Sequence, residues 1–367
     1  MTETDAIYIP EEWSMAAEKI AYDSITSPPP IAVICGPKNS GKTTFSRHLV
    51  TTLIPRYDKV AYLDTDVGQP EFTSPGCLSL CVIDKQDPDD LTILTLKDPE
   101  RWLFFGDVSS KRDPKTYLDS IFSLYDYFRT KYHMSKENED QYTGKRMLPL
   151  VVNTPGWVKG VGFDILVEML RYISPTHVVQ VRTSSETKNL PTQAFWLDEE
   201  LQVLDNHIKI YAARQDSRNQ SVLVQKDARL LRDLRIISYF RLCFPSEVDF
   251  SSFKELAHAL ASHPPYEVSL SSVKVTHLHC QVPSNEVFRG LNATIVGLAI
   301  SSAKPSESES CTPWCVGLGI VRGVDPSKDL LYVLTPVPPS ILEKVDLLLQ
   351  GFLQIPIDLL KVNVPSS

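Results

Sequence analysis

Apolar positions along the chain fall into short continuous runs separated by segments with helical spacing. Ile31–Cys35, Val60–Leu63, Leu78–Ile83, Trp102–Phe105, Leu148–Val152 and Val178–Val181 read as strands buried on both faces, since no solvent side interrupts them. Between them the apolar residues recur three and four apart. Glu11 to Ala21 reads as a short helix, and Lys42–Ile54 as a helix with Phe45, Leu49 and Leu53 on one face. Pro114–Tyr132 starts on a proline and lines up Leu118, Ile121, Leu124, Tyr125 and Phe128, and Val161–Tyr172 is a further helix. Strands alternating with helices predict an α/β fold, a parallel sheet with helices on both faces. Past about residue 245 the pattern turns to short β-rich runs, Ala293–Ile300, Val316–Val321 and Leu330–Leu334. The expected organisation is a lead-in over 1–30, an α/β domain over 31–245 and a smaller β-rich domain over 246–367. Polar Ser135–Arg146 reads as an exposed insertion and Ser301–Ser310 as a floppy loop.

Composition narrows the class. The 367 residues are 43% hydrophobic and 22% charged, which excludes a wholly disordered chain. With 37 Lys+Arg against 45 Asp+Glu the net charge is −8, so a surface coated in phosphate-binding cations is excluded, though a local basic groove is not. No apolar run approaches the eighteen or so residues of a membrane span. The acidic start, MTETDAIYIPEEW, has no basic segment leading into an apolar one, so a soluble intracellular protein without membrane contact is expected. Seven cysteines are scattered through the chain. Cys77/Cys81 and Cys311/Cys315 share a C-x3-C spacing with His277 and His279 between, but they sit among strand-like apolar residues. They read as small buried hydrophobes, and no metal is assigned to them.

The chemistry begins directly after the first strand. Gly36-Pro37-Lys38-Asn39-Ser40-Gly41-Lys42-Thr43 is a complete G-x4-G-K-T between a strand and a helix, with Thr44 following. Glycines allow successive N–H groups to face one anion, and the helix N-terminus adds partial positive charge. Lys42 reaches the β- and γ-phosphates in such a loop, and the Thr43 hydroxyl binds Mg²⁺. The second strand runs into Leu63-Asp64-Thr65-Asp66-Val67-Gly68-Gln69, whose carboxylates lie on one side of the strand end. One can hold the metal's hydration shell while the other takes a proton from an attacking hydroxyl or water. No N-K-x-D tetrad for guanine is present, which counts against a GTPase. Gly106-Asp107 ends another strand and either serves the site or merely terminates it.

Two further stretches stand out. Asn153-Thr154-Pro155-Gly156-Trp157-Val158-Lys159-Gly160 follows a buried strand and presents an aromatic on a loop, a natural stacking platform for a nucleobase. In Arg229-Leu230-Leu231-Arg232-Asp233-Leu234-Arg235 the arginines recur every three residues, which on a helix gives one broad cationic face with Leu230, Leu231 and Leu234 opposite. That face is either solvated or a lid over transferring phosphate, and the pattern leaves both open.

Together these stretches resemble the polynucleotide 5′-hydroxyl kinases of RNA processing, in particular their nucleolar, pre-ribosomal-RNA branch. The carrying motifs are GPKNSGKT (36–43), LDTDVGQ (63–69), FFGDVSSKRDP (104–114), NTPGWVKGVG (153–162) and RLLRDLRIISYF (229–240). The resemblance implies a P-loop kinase-type fold that binds ATP with Mg²⁺ and phosphorylates the 5′-hydroxyl end of RNA, or of DNA. It implies nuclear, nucleolar work in rRNA processing beside an endonuclease partner. By motif position Asp66 is the base, Lys42 and Arg232 neutralise charge, and Thr43 and Asp64 serve the metal. The phosphate loop runs from Gly36 to Thr44. Thr154, Gly156, Trp157, Lys159 and Gln69 face the RNA end, with Trp157 stacking on the terminal base. Arg232 matches the lid arginine; Ile237 stands where a second is expected, so Arg229 or Arg235 substitutes. The family usually has a β-rich domain before the P-loop, where this chain has about thirty residues. A nucleotide-dependent RNA-binding scaffold with little kinase activity is the alternative function.

Overall fold

The computed structural model describes every residue except 1–8, 24–27, 86–95, 134–146, 198–208, 215–226, 284–285, 302–312 and 361–367. The Ser135–Arg146 insertion and nearly all of the Ser301–Ser310 loop therefore lie outside the described residues. The chain forms two compact units. The first comprises Met1–Asp66, Leu80–Asp90 and Ile121–Gln225, and the second Val67–Ser79, Leu91–Ser120 and Lys226–Ser367.

The first unit is built on parallel strands. In chain order the strands are β1 (Ile31–Cys35), β2 (Lys59–Asp64), β3 (Cys77–Asp84), β4 (Arg101–Phe104), β5 (Leu150–Asn153), β6 (His177–Arg182) and β7 (Lys209–Arg214). They form a seven-stranded sheet in the order β4-β3-β2-β5-β1-β6-β7. Strand β3 runs from the second unit into the first, and β4 belongs to the second. Pairing is parallel between β1 and both β5 and β6, between β2 and β5, and between β6 and β7. Every residue of β1, β5 and β6 is buried, as expected of strands covered on both sides. The apolar pattern does not announce β7, because Lys209 and Arg214 bracket only four less polar residues.

Helix α1 (Glu11–Asp23) buries Trp13, Ala16, Ala17, Ile20 and Ala21, spaced as one helical stripe, and packs against β7 and against helix α2 (Lys42–Tyr57). α2 fully buries Phe45, Leu49 and Leu53, the predicted face. Each such side chain contributes about 1.5–3 kcal/mol on removal from water. α2 runs past Ile54 through Pro55 and stops at Asp58, whose φ of +59° cannot continue a helix. Helix α3 (Pro114–Phe128) gives way at Arg129–His133 to a wider π-type turn, so the regular α-helix ends before the predicted Tyr132. Helix α4 (Val161–Ile173) buries Ile165, Leu166, Met169, Leu170 and Ile173.

The second unit carries helices α5 (Ala228–Arg241) and α6 (Phe253–Ser262) and a six-stranded sheet. Its strands are β8 (Tyr266–Ser269), β9 (Lys274–His277), β10 (Thr294–Ala299), β11 (Cys315–Asp325), β12 (Leu330–Leu334) and β13 (Leu347–Gln350), in the order β8-β12-β11-β10-β13-β9. The β10, β11 and β12 pairings are antiparallel, whereas β13 and β9 run parallel. Side chains alternate between two cores. Ile295, Leu318 and Leu334 join Ile236, Ile237, Phe240 and Leu256 on one side, while Val296, Val321 and Val333 enter the other. β8, β9 and β13 are not predicted by the pattern, because four-residue strands, two of them with polar alternates, fall below the length a run needs to be read. Cys77 and Cys315 are buried in the first of these cores, Cys35 and Cys81 are buried in the sheet, Cys280 is exposed, and Cys311 lies outside the described residues.

α5 differs from the predicted two-faced helix. Leu230 is half exposed, Arg235 is buried, and the packed face is Ile236, Ile237 and Phe240. The first turn of the helix is exposed and only its second half is buried, so Arg229, Arg232 and Arg235 become successively less exposed rather than sharing one environment.

Candidate active site

The C-terminal ends of β1, β2 and β5 carry the chemistry of the first unit. Between β1 and α2 the phosphate loop turns through Gly41 at φ +92°, a backbone state that side chains rarely adopt. Gly41 is also the N-cap of α2, and no side chain caps the helix there. α6, by contrast, is capped by the Ser252 hydroxyl, which accepts from Glu255 N. An uncapped N-terminus leaves backbone N–H groups for an anion. Within the same loop the Ser40 hydroxyl is buried and has no hydrogen-bond partner among the described residues. Both observations fit a phosphate chain as the loop's ligand. Lys38 and Asn39 are exposed.

Lys42 is buried, and its Nζ donates to the Pro37 carbonyl at 2.8 Å. Burial pushes its pKa down to about 8, while the negative charge of Asp66 pulls it upward. Lys42 and Asp66 therefore face each other electrostatically within one unit.

The paired carboxylates differ in setting. Asp64 is fully buried, and its Oδ1 accepts from Asn153 Nδ2 and from Asp66 N, each at 3.2 Å. Asp66 is half-buried. Register places Asp64 opposite Asn153 on neighbouring strands, and the Thr65 hydroxyl donates to the Asn153 carbonyl at 2.8 Å. Asn153 Oδ1 is buried without a partner among the described residues. A buried carboxylate held by an amide, beside an unsatisfied amide oxygen, suits the hydrated divalent cation of a nucleotide.

The Thr154–Trp157 turn leaves β5 beside the loop. The buried Thr154 hydroxyl donates to Ile34 O at 2.8 Å, pinning the turn to β1. Gly156 lies so close to the phosphate loop that a Cβ there would stand 2.5–2.7 Å from Lys38 Cγ, N and Cα. Trp157 is half-buried, its ring resting over Gly162 at the start of α4, and Lys159 is exposed.

The predicted residues Gln69, Arg229, Arg232 and Arg235 fall in the second unit. Gln69 is exposed, Arg229 exposed and Arg232 half-buried. Arg235 Nη1 donates to the Glu71 carbonyl at 2.5 Å. Asp107 is engaged internally, accepting from Arg112 Nε at 2.8 Å and Ser109 N at 3.0 Å. Close by, His279 Nε2 meets the Phe105 carbonyl at 2.6 Å. Two residues of the first unit carry no role in the sequence motifs: Asn153 and Trp13. A lone amide closing an apolar strand is the available signal for the first.

A phosphate loop joined to a strand-end carboxylate pair and a clasping turn defines a P-loop nucleotide-binding protein of the phosphoryl-transfer type. Residues 36–241 match the family described as mRNA cleavage and polyadenylation factor CLP1 P-loop, and residues 261–356 match the NOL9-like C-terminal domain. The chain belongs to the CLP1 P-loop family, in the branch that carries the NOL9-like C-terminal domain. It is 55% identical to the polynucleotide 5′-hydroxyl-kinase NOL9 of Arabidopsis thaliana, over 97% of this chain and 94% of that one. The NOL9 kinases of Danio rerio and Homo sapiens are 34% and 31% identical across 89% and 90% of this chain, which spans about half their length, 46% and 50%. In fold it resembles Clp1p of a wild-type Clp1p–Pcf11p complex, with a TM-score of 0.60 at 18% identity over 93% of this chain and 77% of that one. Among the described residues no helix is long and apolar enough to cross a membrane.

Proposed function

We propose that this protein is a polynucleotide 5′-hydroxyl kinase that moves the γ-phosphate of ATP to the 5′-hydroxyl end of RNA, or of DNA, and acts in ribosomal RNA processing. The observation that carries the reading is the contact of Gly156 with Lys38. It seats a turn suited to gripping a polynucleotide end directly on the loop suited to gripping phosphates.

The 5′-hydroxyl oxygen bonds to the γ-phosphorus as the bond to the β–γ bridging oxygen breaks and ADP leaves. The Asp66 carboxylate takes the hydroxyl proton. Lys42, freed from the Pro37 carbonyl, donates to the β- and γ-phosphate oxygens. Backbone N–H groups from Gly36 to Thr44 hold the phosphate chain. Trp157 stacks on the terminal base, with Thr154 fixing the turn and Lys159 and Gln69 offered to the RNA backbone. Arg232 is the proposed lid cation, with Arg229 beside it, while Arg235 is committed to the Glu71 carbonyl. Thr43 and Asp64 would hold Mg²⁺, which when bound neutralises phosphate charge and orients the leaving group. Fixing these groups in line supplies most of the acceleration.

The proposed division is a kinase part over 31–245 and a β-rich part over 246–367. The nucleolus is the proposed compartment, which the likeness to NOL9-type relatives supports, and an rRNA-processing endonuclease is the proposed partner. The test is transfer from γ-labelled ATP to a short 5′-hydroxyl RNA, with a 5′-phosphorylated RNA and Lys42→Ala as controls. Label appearing only on the hydroxyl end, and lost in the variant, supports the reading. ATP binding without any transfer overturns it in favour of a nucleotide-dependent scaffold.

A further inference from the structure

Helix α1 precedes the residues matched by the P-loop family, yet its first turn covers the phosphate loop. Trp13 is 4% exposed. The edge of its indole occupies the space a side chain on Gly41 would need, with Cη2 only 2.5 Å and Cζ2 3.3 Å from the position of a Cβ there. The same ring meets Phe45 edge-on, centroids 5.7 Å apart at 76°. Phe45 N in turn donates to the Gly41 carbonyl at 2.9 Å, closing the helical turn that carries Lys42, Thr43 and Thr44. The indole thus touches both ends of the turn on which the phosphate-binding groups stand.

The far end of α1 is anchored. The Asp23 carboxylate accepts from Lys209 Nζ at 2.6 Å, from Tyr211 OH at 3.3 Å and meets His177 Nε2 at 3.4 Å. Arg56 of α2 donates to Ala21 O at 3.3 Å and its guanidinium lies over the Tyr22 ring at 4.3 Å. Ala17 and Ala21 are fully buried, small enough for α1 to lie close against its neighbours. A helix held at its C-terminal end to β6, β7 and α2 presents Trp13 to the loop as a fixed wall.

We propose that Trp13 is a positioning residue for the nucleotide: it holds Gly41 in its left-handed state and so keeps the N–H groups of the loop aimed at phosphate. A glycine with positive φ has wide conformational freedom, and no side chain caps α2 to restrain it. The backbone donors bind phosphate well only if they are already oriented, because freezing them at binding costs affinity. The wall acts on ATP and not on the clasp that grips the RNA end. This inference rests on the kinase reading for its kinetic arm only.

The test uses the full chain and compares wild type, Trp13→Ala, Trp13→Phe and Tyr125→Phe. Affinity for Mg·ATP is read by calorimetry, KM for ATP and for RNA by transfer, and stability by thermal melting. Trp13→Ala is expected to weaken ATP binding about tenfold and to raise the ATP KM alike, a loss of about 1.4 kcal/mol, with the RNA KM within about twofold of wild type. Trp13→Phe restores most of the affinity. Tyr125→Phe removes the hydrogen bond from Tyr125 OH to the Ile173 carbonyl, which involves neither α1 nor the phosphate loop; it lowers the melting temperature but keeps ATP affinity, which separates positioning from general loosening. ATP affinity unchanged in Trp13→Ala, or lost in Tyr125→Phe in step with stability, overturns the proposal. Should Trp13→Ala not fold, Trp13→Leu replaces it, and equal ATP affinity in the Trp, Phe and Leu proteins overturns the proposal. Absence of phosphate transfer by wild type would count against the kinase reading and leave the ATP calorimetry as the judge of Trp13.

Discussion

Asn153 Nδ2 donates to Asp64 Oδ1 at 3.2 Å where β5 and β2 end side by side. This amide holds the buried carboxylate in one orientation, and a ligating carboxylate works only when its second neighbour fixes it. Asn153→Ala is therefore expected to raise the Mg²⁺ concentration giving half-maximal transfer by about 10- to 100-fold. A magnesium titration of the variant at saturating ATP and RNA reads this, and an unchanged midpoint would remove Asp64 from the metal's surroundings.

In the proposed transfer Asp66 serves the attacking hydroxyl and Lys42 the phosphates. Asp66→Asn cannot take the proton and is expected to lower kcat by about 10²–10⁴-fold, with ATP binding retained. Lys42→Ala removes the cation at the phosphates and should cost at least about 10²-fold in kcat/KM. Steady-state kinetics with ATP and a 5′-hydroxyl RNA measure both. Full activity in Asp66→Asn would sink the base assignment.

Trp157 rests on Gly162 and is half-buried, and its proposed role is to stack on the terminal base. Loss of one base–aromatic stack costs about 1–3 kcal/mol. Trp157→Ala should raise the RNA KM by roughly 5- to 150-fold and leave ATP affinity alone. An ATP defect matching the RNA defect would show that the residue merely supports the turn.

Lys42 titrates in an accessible range because burial pushes it down to about 8. Phosphate prefers the charged amine, so ATP affinity should fall as pH rises through about 8, and binding near that pH should take up a proton. The stability effect has the opposite sense. From about pH 8 to the ordinary lysine value the unfolded chain binds more protons here than the folded one, so this group's contribution to stability rises with pH. Calorimetry of ATP binding in buffers of different ionisation heat, from pH 7 to 9.5, reads the proton uptake. No uptake in wild type, or the same pH dependence in Lys42→Arg, contradicts the assignment.

The arginines of α5 should separate. Arg235 is buried and donates to the Glu71 carbonyl, so Arg235→Ala removes that charged donor and is expected to cost about 1–3 kcal/mol of stability. Arg232 is only half-buried, and Arg232→Ala should melt near wild type while losing at least about 10²-fold in kcat. Thermal melts paired with transfer assays distinguish them, and equal melting losses would contradict the division of roles.

Short-range signals are legible in the amino-acid sequence by itself. β1, β2 and α2 follow from runs of Ile, Val and Leu and from the Phe45, Leu49, Leu53 stripe, because burial imposes its period on residues next to one another. The phosphate loop is legible for the same reason, its glycines, Lys42 and Thr43 acting within a single turn. Tertiary structure decides the rest. Asp64 and Asn153 are 89 positions apart and meet only because β5 inserts beside β2. Gly156 meets Lys38, and Trp13 meets Gly41, through packing that no local period announces. The burial of Arg235 but not Arg229 likewise depends on where α5 leaves its core, not on the spacing of the arginines. Periodicity states which face of an element avoids water, whereas the partner that covers the face is set by strand order and helix packing across the whole chain.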